Sequence, residues 1–182
     1  MEFSKLNEEK RYQEQLESIF QNMKDVFEDL SGFMDGLFQV RQNHREHNIA
    51  LLTFENFLPI HGSIPTLKNT SPHYEEIRGK IENLDPEIRK LKNYSLEKYI
   101  DVYEKMIEIY LKVKKMYQAA EAPSGSIEAY LITNLALYKD ILNSTNEIWL
   151  QYLNSGKEYN KGPFGLCNKS VGFMVSHVLR QN

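Results

Sequence analysis

Cysteine is nearly absent from this chain. Cys167 is the only one among 182 residues, so no internal disulfide forms and no thiolate zinc site finds its ligands. Glycine and proline are also scarce, nine and six, and they cluster. That excludes the many short turns of a β-sandwich or barrel and favours long, unbroken elements. No apolar run approaches the roughly 20 residues that cross a bilayer. The opening MEFSKLNEEKRYQ is polar where a secretion signal is apolar. The expectation is a protein of the reducing cytoplasm, without a transmembrane segment. Basic stripes are missing too. Residues 1–60 carry six Lys and Arg against eleven Asp and Glu, residues 61–122 eleven against ten, and residues 123–182 five against four. No stretch offers the cation density that counterion release requires, so nucleic-acid binding is not expected.

What the chain has is apolar periodicity and tyrosine. Hydrophobic residues make up 41% and charged residues 26%, enough for a core and a solvated surface in one domain spanning 1–182. Leu16, Phe20, Met23, Phe27, Leu30, Met34 and Leu37 step by four and three, with Ile19, Val26, Phe33 and Val40 beside them. This stripe is three positions wide in seven, the width of a bundle helix rather than of a two-position coiled-coil seam. Gly32 and Gly36 fall on its outer side. Past Val40 the seam turns polar through Arg41, His44 and Asn48, so either the helix leaves the core there or polar groups enter it.

The spacing predicts a long helix over about 5–42 and a connection over 56–71, rich in proline and long enough to suggest a functional or mobile segment. Short helices follow over 72–92. Ser71-Pro72 starts the first, with Glu75 and Glu76 in its opening turn, and Asp85-Pro86 restarts a second. A long helix over 95–121 is capped by Ser95. It carries Leu96, Tyr99, Tyr103, Met106, Tyr110, Val113 and Tyr117 on one face, widened by Ile100 and Ile107. Asp101–Lys105 and Glu108–Lys112 are spaced to pair on its outer face. Pro123 and Gly125 end it. Ser126 caps a third long helix over 126–154, closed by Ser155-Gly156. A last short helix covers 169–180. The fold class is therefore all-α, a helical bundle of three long amphipathic helices plus two or three short ones.

Candidate chemistry is thin. Cys167 precedes the last helix, where a helix dipole lowers a thiol pKa, but Phe164 and Leu166 beside it favour an apolar anchor for the tail. His177 stands ten residues away, about 15 Å along one helix, too far to act as its base. His44 and His47 lie three apart on one helix face but lack a third metal ligand. The Glu-x-x-His pattern of di-metal bundles is absent at all five histidines. Adjacent acids such as Glu8-Glu9 diverge by about 100° on a helix and form no dyad. There is no Walker loop, GxGxxG or GxSxG. No catalytic residue, metal or cofactor is expected.

Tyrosine is the unusual feature. Tyr103, Tyr110 and Tyr117 recur every seventh residue, with Tyr99 on the same face. They serve as large core residues whose hydroxyls reach the bundle edge, or they line an interface or semi-polar pocket. The functional expectation is a non-enzymatic regulator, inhibitor or adaptor that binds a protein partner, its acidic first helix steering towards a basic surface. The alternative is a ligand-sensing bundle, with Tyr99, Tyr103, Tyr110, Arg41 and His44 around a cavity for an apolar or amphipathic molecule. Homo-oligomerisation is a further expectation if the wide stripes exceed what one bundle covers.

Overall fold

The computed structural model describes residues 2–43, 52–56, 66–94, 97–153 and 166–179, with only the backbone of 2–5, 98 and 166–170. The chain is all-α, with no strand among the described residues. Helix α1, Glu2–Asn43, is 42 residues long, about 63 Å at 1.5 Å per residue. Its stripe is buried as the spacing predicts: Leu16, Ile19, Phe20, Met23, Val26, Phe27, Leu30, Phe33, Met34 and Leu37 all lie in the core. Tyr12 and Phe38 join them, and Val40 is half-buried.

Helix α2, Leu67–Thr70, is a single turn inside the expected connection, capped by Thr66, whose side chain accepts from Asn69 N. Residues 57–65 of that connection lie outside the described residues. Helix α3, Tyr74–Arg89, replaces the two short helices expected over 72–92 and runs straight through Pro86. Proline removes one backbone hydrogen bond there. The ring faces solvent, however, while Ile77, Ile81, Leu84 and Ile88 stay buried in one row across it. Continuous burial on the inner face outweighs the lost bond. Ser71 does not cap this helix. Its hydroxyl donates to Asp29 Oδ2 at 2.5 Å on α1, and His73 takes the cap position without a side-chain bond. Two 3-10 turns, Lys90–Asn93 and Glu97–Tyr99, follow. Ser95 and Leu96 lie outside the described residues.

Helix α4, Ile100–Glu121, buries a face rotated from the expected one. Val102, Ile109, Met116 and Ala120 are buried beside Met106, Tyr110, Val113 and Tyr117. Ile100 is exposed, and Ile107 and Tyr103 are only half-buried. The reason is that α4 packs between two neighbours, α3 and a further helix α5, so its core face turns towards both. Lys112 reaches across to Asp140 of α5 rather than back to Glu108. Helix α5, Ile127–Ile148, is capped by Ser126, whose hydroxyl accepts from Ala129 N at 3.2 Å. It widens into a π turn over Trp149–Leu153. Its buried Asn134 and Thr145 donate to carbonyls of their own helix, so neither leaves a polar atom stranded. Helix α6, Leu166–Val178, starts three residues before the expected 169. Ser155-Gly156 lies outside the described residues.

Pairings across the bundle fix its directions. Glu87 takes bonds from Gln15 and Asn22, and Lys80 pairs with Asp25, so α3 runs antiparallel to α1. Tyr99 stacks on Tyr12 at the foot of α1, and Tyr117 further along α4 packs beside Tyr74 at the start of α3. Phe27 meets Tyr138 and Phe33 meets Tyr130, so α5 is antiparallel to α1. Helices α1, α3, α4 and α5 thus form an up-down-up-down bundle, and α6 lies across α1 and α5. At the head, residues 52–56 strap the turn between α4 and α5. Phe54 N donates to Gly125 O and Ile127 N to Leu52 O, both at 3.0 Å, while Leu52 and Phe54 bury their side chains. Gly125 holds φ +79° there, a left-handed conformation that suits glycine.

Gly32 and Gly36 lie exposed in the middle of α1, and a Cβ at either meets nothing within 4 Å. Alanine at both positions is expected to add about 0.5–1 kcal/mol each, raising the melting temperature by about 2–8 °C in a thermal scan. No rise would mean that the helix needs to bend there.

Candidate functional site

The foot of the bundle gathers five tyrosines from four elements. Tyr12 projects from α1. The 3-10 turn Lys90–Asn93 ends in an extended Tyr94 (φ −90°, ψ 134°), which turns its ring back onto α1. Its hydroxyl donates to Gln15 Oε1 at 3.0 Å, and its ring meets Tyr12 edge-on, centroids 5.1 Å apart. Tyr99, at the head of α4, stacks on Tyr12 with centroids at 3.7 Å and donates to Glu9 Oε1 at 2.9 Å. The π turn brings Tyr152 to 6.0 Å from Tyr99. Tyr103 follows Tyr99 by one turn, with the ammonium of Lys92 4.6 Å above its ring centre.

This cluster holds a cleft of about 250 Å³ lined by Leu91, Lys92, Tyr94, Tyr99, Ile100, Tyr103 and Glu104. On the far side of Tyr94, a polar groove of about 600 Å³ runs between α1 and the 3-10 turn, with Arg11, Gln15, Lys90 and Asn93 along it. Three large aliphatic side chains are exposed on the elements that meet here: Leu6 (65%), Ile100 (55%) and Leu150 (52%).

The tyrosine row continues up the seam between α3 and α4. Tyr110 is buried near Asp85 and Arg89. Burial raises its pKa, Asp85 adds to the rise, and Arg89 opposes it. Tyr117 packs parallel to Tyr74 at 6.4 Å, and the Tyr74 hydroxyl bonds the Glu121 carboxylate, which raises the pKa of Tyr74. The Tyr117 and Tyr12 hydroxyls are both buried, and neither has a hydrogen-bond partner among the described residues. Burial is the main cause that lifts both pKa values well above the ordinary tyrosine value. Tyr12 is pushed further by Tyr99, Tyr152 and Tyr94, and Tyr117 by Tyr74, Glu121 and Asp29.

Of the residues expected around one cavity, Tyr99, Tyr103, Tyr110, Arg41 and His44, the structure does not bring Tyr99 and Arg41 together. Tyr99 stands beside Tyr12, and Arg41 lies 29 residues further along the same helix, about 44 Å away. Arg41 instead enters the core at the head. Its Nε donates to Glu128 Oε2 at 2.6 Å and its Nη2 to Glu128 Oε1 at 3.2 Å, a two-pronged pair with side chains only 10% and 19% exposed. Glu128 sits in the first turn of α5, where the helix dipole favours a negative charge. His44 and His47 lie outside the described residues, as does the side chain of Cys167. Cys167 and His177 are both carried by α6, which keeps them about 15 Å apart along its axis. His177 Nδ1 contacts Phe173 O at 3.0 Å, and its ring packs on Phe173. Among the described residues, no three His, Cys, Asp or Glu side chains converge as a metal site. Nor is any described helix long and apolar enough to cross a membrane.

Tyr12, Tyr94, Tyr152 and Lys92 belong to the foot cluster, yet none stands out in the sequence. Tyr12 precedes the first stripe by one heptad step, four residues before Leu16, and this spacing is the one signal that points to it. No family model, no curated protein and no solved structure matches the chain.

Proposed function

We propose that this chain is a non-enzymatic binding protein that acts by engaging a protein partner through the foot of the bundle. The observation that carries the reading is the tyrosine cluster itself, with Ile100 exposed beside Tyr94 and Tyr103 in its cleft and Leu6 and Leu150 exposed on the elements that meet there. Tyrosine-rich apolar ground inside a polar rim is the composition of a protein interface. The rim carries both signs: Arg11, Lys90, Lys92, Glu97, Asp101 and Glu104 are all exposed. The partner is therefore expected to present an apolar surface ringed by mixed charge, not a uniformly basic one. Lys80 offsets the charge of Asp25, so that carboxylate adds little to any steering field.

The test compares Leu6→Glu, Ile100→Glu and Leu150→Glu with Leu111→Glu, an exposed aliphatic of α4 outside the cluster. A protein recovered from the native cells with the wild type is purified and titrated against each variant. At least a tenfold loss of affinity is expected for the foot variants, and none for Leu111→Glu. Equal loss at Leu111, or no loss at the foot, would refute the reading.

A second reading, a ligand-sensing bundle, is favoured by the tyrosine-lined cleft. A pocket with apolar walls and few polar groups is the common form of a small-molecule site.

A further inference from the structure

We infer that the foot cleft takes a free, large apolar α-amino acid, held as its zwitterion. This inference rests on the ligand-sensing reading and names the ligand class for that site.

The cleft has two kinds of wall. Leu91, Ile100 and the rings of Tyr94, Tyr99 and Tyr103 form an apolar lining, and Lys92 and Glu104 supply opposite charges. Lys92 and Glu104 share this small space, yet neither belongs to an ion pair among the described residues. Other charged side chains facing across the bundle do pair: Lys80 with Asp25, Lys112 with Asp140, and Arg41 with Glu128. Lys92 stands over the Tyr103 ring in a cation–π contact, and both side chains line the cleft. A cation and an anion kept apart beside an apolar slot match a molecule carrying both a carboxylate and an ammonium on one end and an oily group on the other.

Size agrees. About 250 Å³ suits one aromatic or branched aliphatic side chain and its α-carbon, and falls below the 300–1,000 Å³ that drug-sized ligands occupy. A simple carboxylic acid leaves Glu104 facing an anion, and a simple amine leaves Lys92 facing a cation. Only the zwitterion answers both. The aromatic faces contribute stacking surface, so phenylalanine and leucine are the natural first probes.

Calorimetric titration with L-phenylalanine, L-leucine, phenylacetate and phenethylamine tests this on the full chain. Saturable binding of the two amino acids is expected, with L-phenylalanine at least tenfold tighter than phenylacetate or phenethylamine. Lys92→Gln and Glu104→Gln are each expected to weaken L-phenylalanine about tenfold. Both side chains are exposed and lie outside the core, so unchanged melting temperatures verify folding. In the Lys92→Gln variant, phenethylamine is expected to match L-phenylalanine. Phenylacetate or phenethylamine binding as tightly as L-phenylalanine to the wild type would overturn the zwitterion and leave the ligand-sensing reading standing. No saturable heat from any of the four, with no chemical-shift change at Lys92, Tyr103 or Glu104, would overturn both.

Discussion

Above pH 10 the unfolding free energy is expected to fall by about 4 kcal/mol per pH unit, a slope set by three tyrosines that ionise only when the chain unfolds. Tyr12, Tyr117 and Tyr130 all have pKa values raised by burial. The sign follows from proton counting. Below the ordinary tyrosine pKa, folded and unfolded chains both hold these protons, and the full stability is present. As the pH climbs past that value, the unfolded chain releases them and the folded chain keeps them, so stability is lost until the raised folded values are reached. Tyr74 and Tyr110 shift in the same direction and steepen the fall. Absorbance at 295 nm should therefore show Tyr12, Tyr117 and Tyr130 ionising only together with loss of helical circular dichroism. Tyr117→Phe is expected to remove about a third of the slope. It also deletes a buried hydroxyl without a hydrogen-bond partner among the described residues, so at neutral pH the variant is expected to gain about 1 kcal/mol. Smooth ionisation of all eleven tyrosines near pH 10 in the folded state would show that the hydroxyls are open to water.

Breaking the pair at the head of the bundle has the other large effect. Arg41→Ala is expected to cost about 2–4 kcal/mol, at the lower end of the range for buried pairs because Glu128 keeps some access to water. For a chain of this length that is a drop of about 4–16 °C in melting temperature. Glu128→Ala is expected to cost a similar amount, since it strands a guanidinium in the core. The double variant Arg41→Met/Glu128→Leu should recover most of the loss, because an apolar pair of similar size needs no desolvated charge. A double-mutant cycle in denaturant measures the coupling. Single variants within about 0.5 kcal/mol of wild type would mean that water already screens the pair.

These two ends of the bundle show what a linear reading reaches. The α1 stripe from Leu16 to Leu37 was legible because burial on one face repeats with the helix period, and that repeat is written in consecutive residues. Pro86 was misread because the rule for proline is local, while the row Ile81, Leu84 and Ile88 that carries the helix through it answers to α1. Ser71 was misread for the same reason: Asp29, 42 residues earlier, competes for its hydroxyl and wins. The polar turn of the seam at Arg41 was visible, including the alternative that a polar group enters the core. Its partner Glu128, 87 residues on, was not, because nothing in the spacing of one helix names a residue on another. The tyrosine row was found, but its rotation about α4 was not. A stripe three residues wide fixes the buried side only to within a neighbouring position, and packing against both α3 and α5 decides it.

Helix α1 is synthesised before α3, α4, α5 and α6, and it packs against all four. Its closest aromatic partners on α5, Tyr138 and Tyr130, arrive about a hundred residues later. At synthesis rates of about 5–20 residues per second, the nascent rod waits several seconds with an oily flank uncovered. A flank uncovered for that interval is open to aggregation and proteolysis, and variants that loosen α5 are expected to prolong that exposure.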